Sequence, residues 1–242
     1  MDWIKPDWPV PANIHAATTL RDGGNSQPPY ASLNLATHVG DCPEDVAENR
    51  RIVRQTLKLP AEPFWLQQIH SAKAVPATAG SEKPPIAADA SFSRQAGVVC
   101  AVMTADCLPV LLADEQGQTI AAIHAGWRGL AAGIIDNTLK QLPAHRYLAW
   151  LGPAIGPDCF EVGDEVRAAF VQRHRAFATA FKKQGQSKWL ANIYQLARIN
   201  LWQHHIDQIY GGELCTVSAP DCFFSYRRDG QTGRMATLIW RD

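Results

Sequence analysis

A single α/β domain (α+β in arrangement) with a mixed sheet is the fold class predicted by this sequence, on three observations. Short Val- and Ile-rich runs alternate with amphipathic segments of helical period along the 242 residues. No composition break, linker or internal repeat divides them, so residues 1–242 are expected to form one domain. Apolar residues make up 46% of the chain, with 8 Trp and 8 Phe, which is ample material for a core.

The elements follow in order. Residues 6–30 are rich in Pro, Gly, Asn and Ser and hold Arg21-Asp-Gly-Gly-Asn-Ser26. They read as a turn-laden loop anchored by Ile14, Leu20 and Tyr30. The first helix is expected over Pro43–Leu59, with Asp41 as N-cap, Glu44 three residues on, Pro43 in the first turn, and Val46, Val53 and Leu57 on one face. Phe64–Ile69 reads as a strand with His70 at its end. Residues 76–87, with Pro76, Pro84, Pro85 and a Gly80-Ser-Glu-Lys83 loop, read as a surface excursion.

Val98–Thr104, Leu108–Ala113 and Thr119–Ala125 read as strands, the last two forming a hairpin through Asp114-Glu-Gln-Gly-Gln118. Gly129–Leu142 is expected to be a helix and Tyr147–Gly152 a strand. Asp164–Phe181 carries Val166, Phe170, Phe177 and Phe181 at helical spacing. A helix over Asn192–Ile206 follows, then strand-like segments at Leu214–Val217 and Met235–Trp240.

Bulk properties narrow the function. Lys+Arg and Asp+Glu balance at 23 each, without a basic run. That leaves no electrostatic footprint for nucleic acid and no polybasic segment for a membrane surface, so a small-molecule ligand is expected. No apolar run reaches the roughly 18 residues of a membrane span, and the N-terminal residues lack a basic-then-apolar secretory signal. The six cysteines form no C-x-x-C pair and read as reduced thiols of a cytoplasmic protein.

Chemistry concentrates in two segments, Thr104-Ala-Asp-Cys-Leu-Pro-Val-Leu-Leu112 and Ala122-Ile-His-Ala-Gly-Trp-Arg-Gly-Leu130. Each sets a metal-capable side chain, Cys107 or His124, beside an apolar strand, and His70 in Leu66-Gln-Gln-Ile-His-Ser71 is a third. Taken singly, each reads better as a core residue; together they suggest a metal site. Three ligands are one fewer than a structural zinc site uses, and the open position is the pattern of a catalytic ion. Asp106 is a candidate to orient a ligating imidazole. His204-His205 is set aside, because adjacent helical positions point about 100° apart. Cys107 with His124 equally suits a metal-free Cys/His hydrolase, since both chemistries need a thiolate; His70 tilts the balance toward metal.

Anion sites have weaker signals. Gly23-Gly24 and the Gly126-Trp-Arg-Gly129 turn offer backbone N–H groups, with Arg21 and Arg128 nearby. No Walker A or G-x-G-x-x-G motif occurs. Ser225-Tyr-Arg-Arg228 and Gly233-Arg234 gather basic and hydroxyl groups, or simply form a solvated turn.

These segments resemble the YfiH family, also called the laccase-domain or multicopper polyphenol oxidase family. The resemblance includes Arg21-Asp-Gly-Gly24, Ser32-Leu-Asn-Leu35, Glu48-Asn-Arg50, Gln67-Gln-Ile-His70, Ala88-Asp-Ala90, Thr104-Ala-Asp-Cys-Leu-Pro109, His124-Ala-Gly-Trp-Arg-Gly129, Gly152-Pro-Ala-Ile-Gly-Pro157 and Phe224-Ser-Tyr-Arg-Arg228. It implies a four-layer α/β/β/α sandwich and a metal site at His70, Cys107 and His124, normally zinc, although copper accepts the same ligands. It further implies purine nucleoside chemistry: phosphorolysis of adenosine, inosine, guanosine and methylthioadenosine, and deamination of adenosine. Some bacterial members are described instead as cytoplasmic amidases that remove L-serine from UDP-N-acetylmuramyl precursors. A copper polyphenol oxidase is disfavoured, because laccase-type clusters draw on His-x-His pairs and none occurs among the 8 histidines. On the purine reading Asp106 is the first candidate proton carrier, and Arg21 with the Gly23 loop, Arg128 or Arg227 are candidates to bind phosphate.

Overall fold

Two sheets packed face to face frame the computed structural model, which describes residues 1–79 and 85–242. The expected Gly80-Ser-Glu-Lys83 loop lies outside the described residues. One sheet runs in the order Trp3–Ile4, Ile14–Thr19, Met235–Arg241, Val99–Thr104, antiparallel throughout. The other runs Ile209–Gly211, Tyr147–Leu151, Leu108–Asp114, Ile120–Ala125, Ala90–Ser93, Ala74–Pro76, antiparallel at its centre and parallel at both edges. The sheet is mixed, as expected.

Side-chain alternation along the strands creates the layers. From Val99–Thr104, Cys100 and Val102 point between the sheets, where they meet Leu111, Ala113, Ile120, Ala122 and Trp150. Val99, Ala101 and Met103 point the other way, into a core shared with Leu33, Leu35 and Val53 of the helix Pro43–Thr56. On the second sheet Leu108, Val110 and Leu112 pack beneath Leu130, Ile134, Phe170 and Leu196 of the helical layer. The result is helix, sheet, sheet, helix. Both faces of each central strand are buried, so Leu108–Asp114 and Ile120–Ala125 are apolar without alternation.

Several elements depart from expectation for local reasons. Ile14–Thr19 is a central strand, not loop, pairing with Met235–Arg241. Cys42, not Asp41, occupies the N-cap, and no side chain caps the helix. Asp41 instead accepts hydrogen bonds from Ser26 Oγ at 2.6 Å and Asn34 Nδ2 at 2.8 Å, tying loop to helix. The Phe64–Ile69 strand shrinks to Leu66–Gln67, and beyond it the side-chain amide of Gln68 bonds both N–H and C=O of Met103 at 2.7 Å. The helix expected over Gly129–Leu142 is two, Trp127–Ala132 and Ile134–Leu139, broken at Gly133, whose φ of 88° is left-handed. Asp164–Val171 stops early and resumes as a 3-10 turn, Arg175–Ala180. Leu214–Val217 contributes only an isolated bridge, from Cys215 to Ala154. Among the described residues no helix is long and apolar enough to cross a membrane.

Asp136 fastens the helical layer. Its carboxylate accepts from Arg173 Nη2 at 2.9 Å, Asn200 Nδ2 at 3.1 Å and His204 Nε2 at 2.9 Å. Burial alone would raise this carboxyl, but His204, Asn200 and Arg173 outweigh it and bring it from an ordinary 3.8 to about 2. The contribution to stability is therefore complete above the unfolded value and is lost as the pH falls through the folded one. Asp136→Asn is expected to lower native stability by about 2 kcal/mol at neutral pH. Urea melts should show the gap from the parent protein narrowing below about pH 4; a gap independent of pH would deny the carboxylate this role.

Candidate metal centre

The hairpin register brings two of the predicted ligands together. Leu108 pairs with Ala125 and Pro109 with His124, so Cys107, just ahead of its strand, lies at the same sheet end as His124. His70 arrives from the turn after Leu66–Gln67. The three ligand atoms lie within 4.8 Å of one another, and Cys107 Sγ is 3.8 Å from His70 Nε2. The imidazoles of His70 and His124 meet edge to face. Among the described residues this is the one group of three His, Cys, Asp or Glu side chains able to hold a metal ion.

Asp89 organises the cluster. It is fully buried, and its carboxylate accepts from His124 Nδ1 at 2.8 Å, leaving Nε2 as that residue's ligand atom. The same carboxylate accepts from the backbone N–H of His70 at 2.9 Å and of Ser71 at 2.6 Å, and from Ser71 Oγ at 2.7 Å. These bonds hold His70 at a φ of 59°, a left-handed backbone uncommon for residues other than glycine. Burial would raise Asp89, yet the bonds from His124 and Ser71 bring it down to about 2. Burial likewise opposes ionisation of Cys107 and His124. Each stabilises the other's charge, so the thiol falls to about 6 and the imidazole rises to about 9. Both shifts favour a thiolate beside an imidazolium.

Gly126 makes the room. A Cβ there would stand 2.9 Å from Cys107 Sγ and 3.1 Å from His70 Cδ2. Its φ of −62° suits any residue, so only space demands glycine. Gly126→Ala is expected to lower metal affinity at least tenfold while leaving the fold intact, as a chelator competition and circular dichroism would show. Unchanged affinity would mean that the ligand atoms do not converge beneath this residue.

The cluster opens on a cleft of ≈ 460 Å³ whose walls include Trp127, Phe160 and Tyr226 and the guanidinium-bearing Arg128, Arg227 and Arg234. Arg128 is exposed and stacks on Trp127 at 4.4 Å. Arg227 also reaches the cleft, although its Nη1 donates to Glu161 O at 3.1 Å. Arg234, half-buried, joins the cleft from the basic C-terminal group. Burial pulls its guanidinium down, while Cys107 and Asp106 nearby offset part of that shift.

Three sequence assignments are corrected. Asp106 does not orient a ligand, since Asp89 does. Its Oδ1 accepts from Thr216 Oγ1 and its Oδ2 from Arg227 N, both at 2.6 Å, fixing the loop before Cys107. Arg21 faces no anion pocket, because its guanidinium bonds Ala31 O and Pro220 O. The Gly23 N–H is taken by Ser32 Oγ at 3.1 Å. Charge and glycine content marked that loop, but both serve its own architecture. Asp89 was missed because its partners are mostly backbone N–H groups some twenty residues upstream, a pairing with no local signature.

A family described as multi-copper polyphenol oxidoreductase laccase matches residues 15–242. The chain belongs to this family. Similar members of the laccase-domain family include a purine nucleoside phosphorylase of Pseudomonas aeruginosa, 49% identical with 98% of each chain covered. The purine nucleoside phosphorylase YfiH of Escherichia coli is also 49% identical with 98% of each covered. The crystal structure of Neisseria meningitidis protein NMB0706 superposes with a TM-score of 0.95 at 50% identity over 100% of both chains. The chain is thus an enzyme-family member of mixed α/β fold carrying a His-Cys-His group suited to a metal.

Proposed function

We propose that this laccase-domain protein is a cytoplasmic, zinc-dependent purine nucleoside phosphorylase, acting through one catalytic domain over residues 1–242. Its substrates would be adenosine, inosine, guanosine and methylthioadenosine, with adenosine deamination as a second activity of the same site. The observation carrying this reading is the His70–Cys107–His124 group opening onto a cleft walled by aromatic faces and arginines. The names of the relatives support the substrate class. One thiolate and two imidazoles suit zinc. In a tetrahedral site their ligand atoms would stand about 3.5 Å apart; Cys107 Sγ and His70 Nε2 are 3.8 Å apart, and all three atoms lie within 4.8 Å. When bound, zinc supplies Lewis-acid polarisation and lowers the pKa of water to about 7.

The chain's own residues do the rest. Trp127, Phe160 and Tyr226 offer flat apolar surface to a purine. Arg128 makes no hydrogen bond among the described residues and is our choice for phosphate. Arg128→Met is expected to raise the KM for phosphate about tenfold and that for nucleoside far less. Equal effects on both would assign it to general shaping of the cleft.

The deciding experiment is zinc content, on protein purified without added metal, joined to nucleoside assays with and without phosphate. About one zinc per chain, with free base released only when phosphate is present, establishes the phosphorylase. Zinc without nucleoside turnover turns the assignment to the muramyl-serine amidase. A second reading, the metal-free Cys/His hydrolase, is favoured by the Cys107–His124–Asp89 line of thiolate, imidazolium and carboxylate. Metal-free active protein with an alkylatable Cys107 would establish it.

A further inference from the structure

We propose that Cys159 and Cys215 form an oxidisable thiol pair that closes to a disulfide beside the cleft. The backbone sets them together. Cys159 ends the turn begun by Gly156, whose carbonyl accepts its N–H at 3.1 Å. Cys215 lies on a segment zipped to the same turn, with Ala154 N donating to Leu214 O and Thr216 N to Ala154 O. Between the sulfurs stands Ser218, whose hydroxyl donates to Cys215 Sγ at 3.3 Å and lies 3.6 Å from Cys159 Sγ. Both thiols are partly exposed, so a small oxidant reaches them.

The two sulfurs are unequal, as an attacking and a resolving thiol must be. Gly156 N donates to Cys215 Sγ at 3.2 Å, adding to Ser218. Burial would raise the Cys215 thiol, but the donors from Ser218, Gly156 and Val217 outweigh it and lower it. Ser218 pulls Cys159 down, yet burial and the neighbouring Cys215 hold it above its ordinary value. Gly156 keeps the approach open, since a Cβ there would stand 2.9 Å from Cys215 Sγ. The other cysteines lack this arrangement. Cys100 is fully buried and raised to about 12, and exposed Cys42 donates to Glu44.

The chemistry with a hydroperoxide balances. The Cys215 thiolate attacks one oxygen of hydrogen peroxide, the O–O bond breaks, and the departing hydroxide takes up a proton as water, leaving a sulfenic acid on Cys215. Cys159 sulfur then attacks Cys215 sulfur; the S–O bond breaks, and the hydroxide leaves with the Cys159 proton as a second water. Two thiols are oxidised to one disulfide, and one peroxide is reduced to two waters. The bridge would join the residue before Phe160, on the cleft wall, to the residue before Thr216, which holds Asp106.

The test is peptide mapping of the whole protein after hydrogen peroxide treatment and non-reducing digestion. A 159–215 cross-linked peptide is expected, with a loss of about 2 Da that dithiothreitol reverses. Cys159→Ser should leave a dimedone-reactive sulfenic acid on Cys215, and Cys215→Ser should give neither product. In untreated parent protein, which avoids any folding defect of the variants, Cys215 should be alkylated faster than Cys159. Treated protein with both thiols still alkylatable, or with either thiol bridged to Cys222 instead, would overturn the proposal.

Discussion

Cys107→Ala should remove metal and turnover together. Two imidazoles remain after the substitution, one of them held by Asp89 and the other on a left-handed turn, and they leave the ion without its only anionic ligand. Bound metal is expected to fall from about one equivalent to under about a tenth, and kcat/KM on nucleosides at least about a thousandfold. The fold should survive, because the side chain is small and only partly buried. Metal analysis beside a circular dichroism melt reads both. A variant that still bound metal and kept full activity would show that the site lies elsewhere.

Asp89→Asn is expected to do comparable damage by another route. The amide keeps the shape of the carboxylate but turns an N–H₂ group toward atoms that donate, namely the Ser71 N–H and hydroxyl, the His70 N–H or His124 Nδ1. One buried donor then faces another, and the imidazolium loses its countercharge. Breaking a buried pair in this way costs about 3–5 kcal/mol, and losing the group that orients a ligand costs about 10- to 100-fold in metal affinity. Thermal melts and chelator competition should both shift. Weakened metal with an unchanged melt would mean that Asp89 positions His124 without holding the His70 turn.

How far these residues were legible in the sequence depends on where their partners lie. Leu108–Asp114 and Ile120–Ala125 were readable because strands buried on both faces need no alternation, and the turn between them carries Gly117. With the strands came Cys107 and His124. Ile14–Thr19 was missed because its two buried threonines and flanking turn residues resemble loop, and only Met235–Arg241, at the other end of the chain, makes it a strand. The break at Gly133 hid within a good helical period. Arg21 and Arg128 carry the same charge, but nothing local tells that one guanidinium is bound by carbonyls and the other is open to the cleft.

The hairpin also works as a ruler. Its turn closes with Gly117 at a φ of 67° and Asp114 Oδ1 accepting the N–H of Gln118 at 2.7 Å. The seven-residue strand Leu108–Asp114 separates that turn from Cys107, a span of about 20 Å. Were the strands to slip by two residues, each would keep its faces, yet Cys107 and His124 would part by about 7 Å. The spacing of two candidate ligands is thus written in the length of a distant loop, so a graft there would shift the candidate metal centre without touching it.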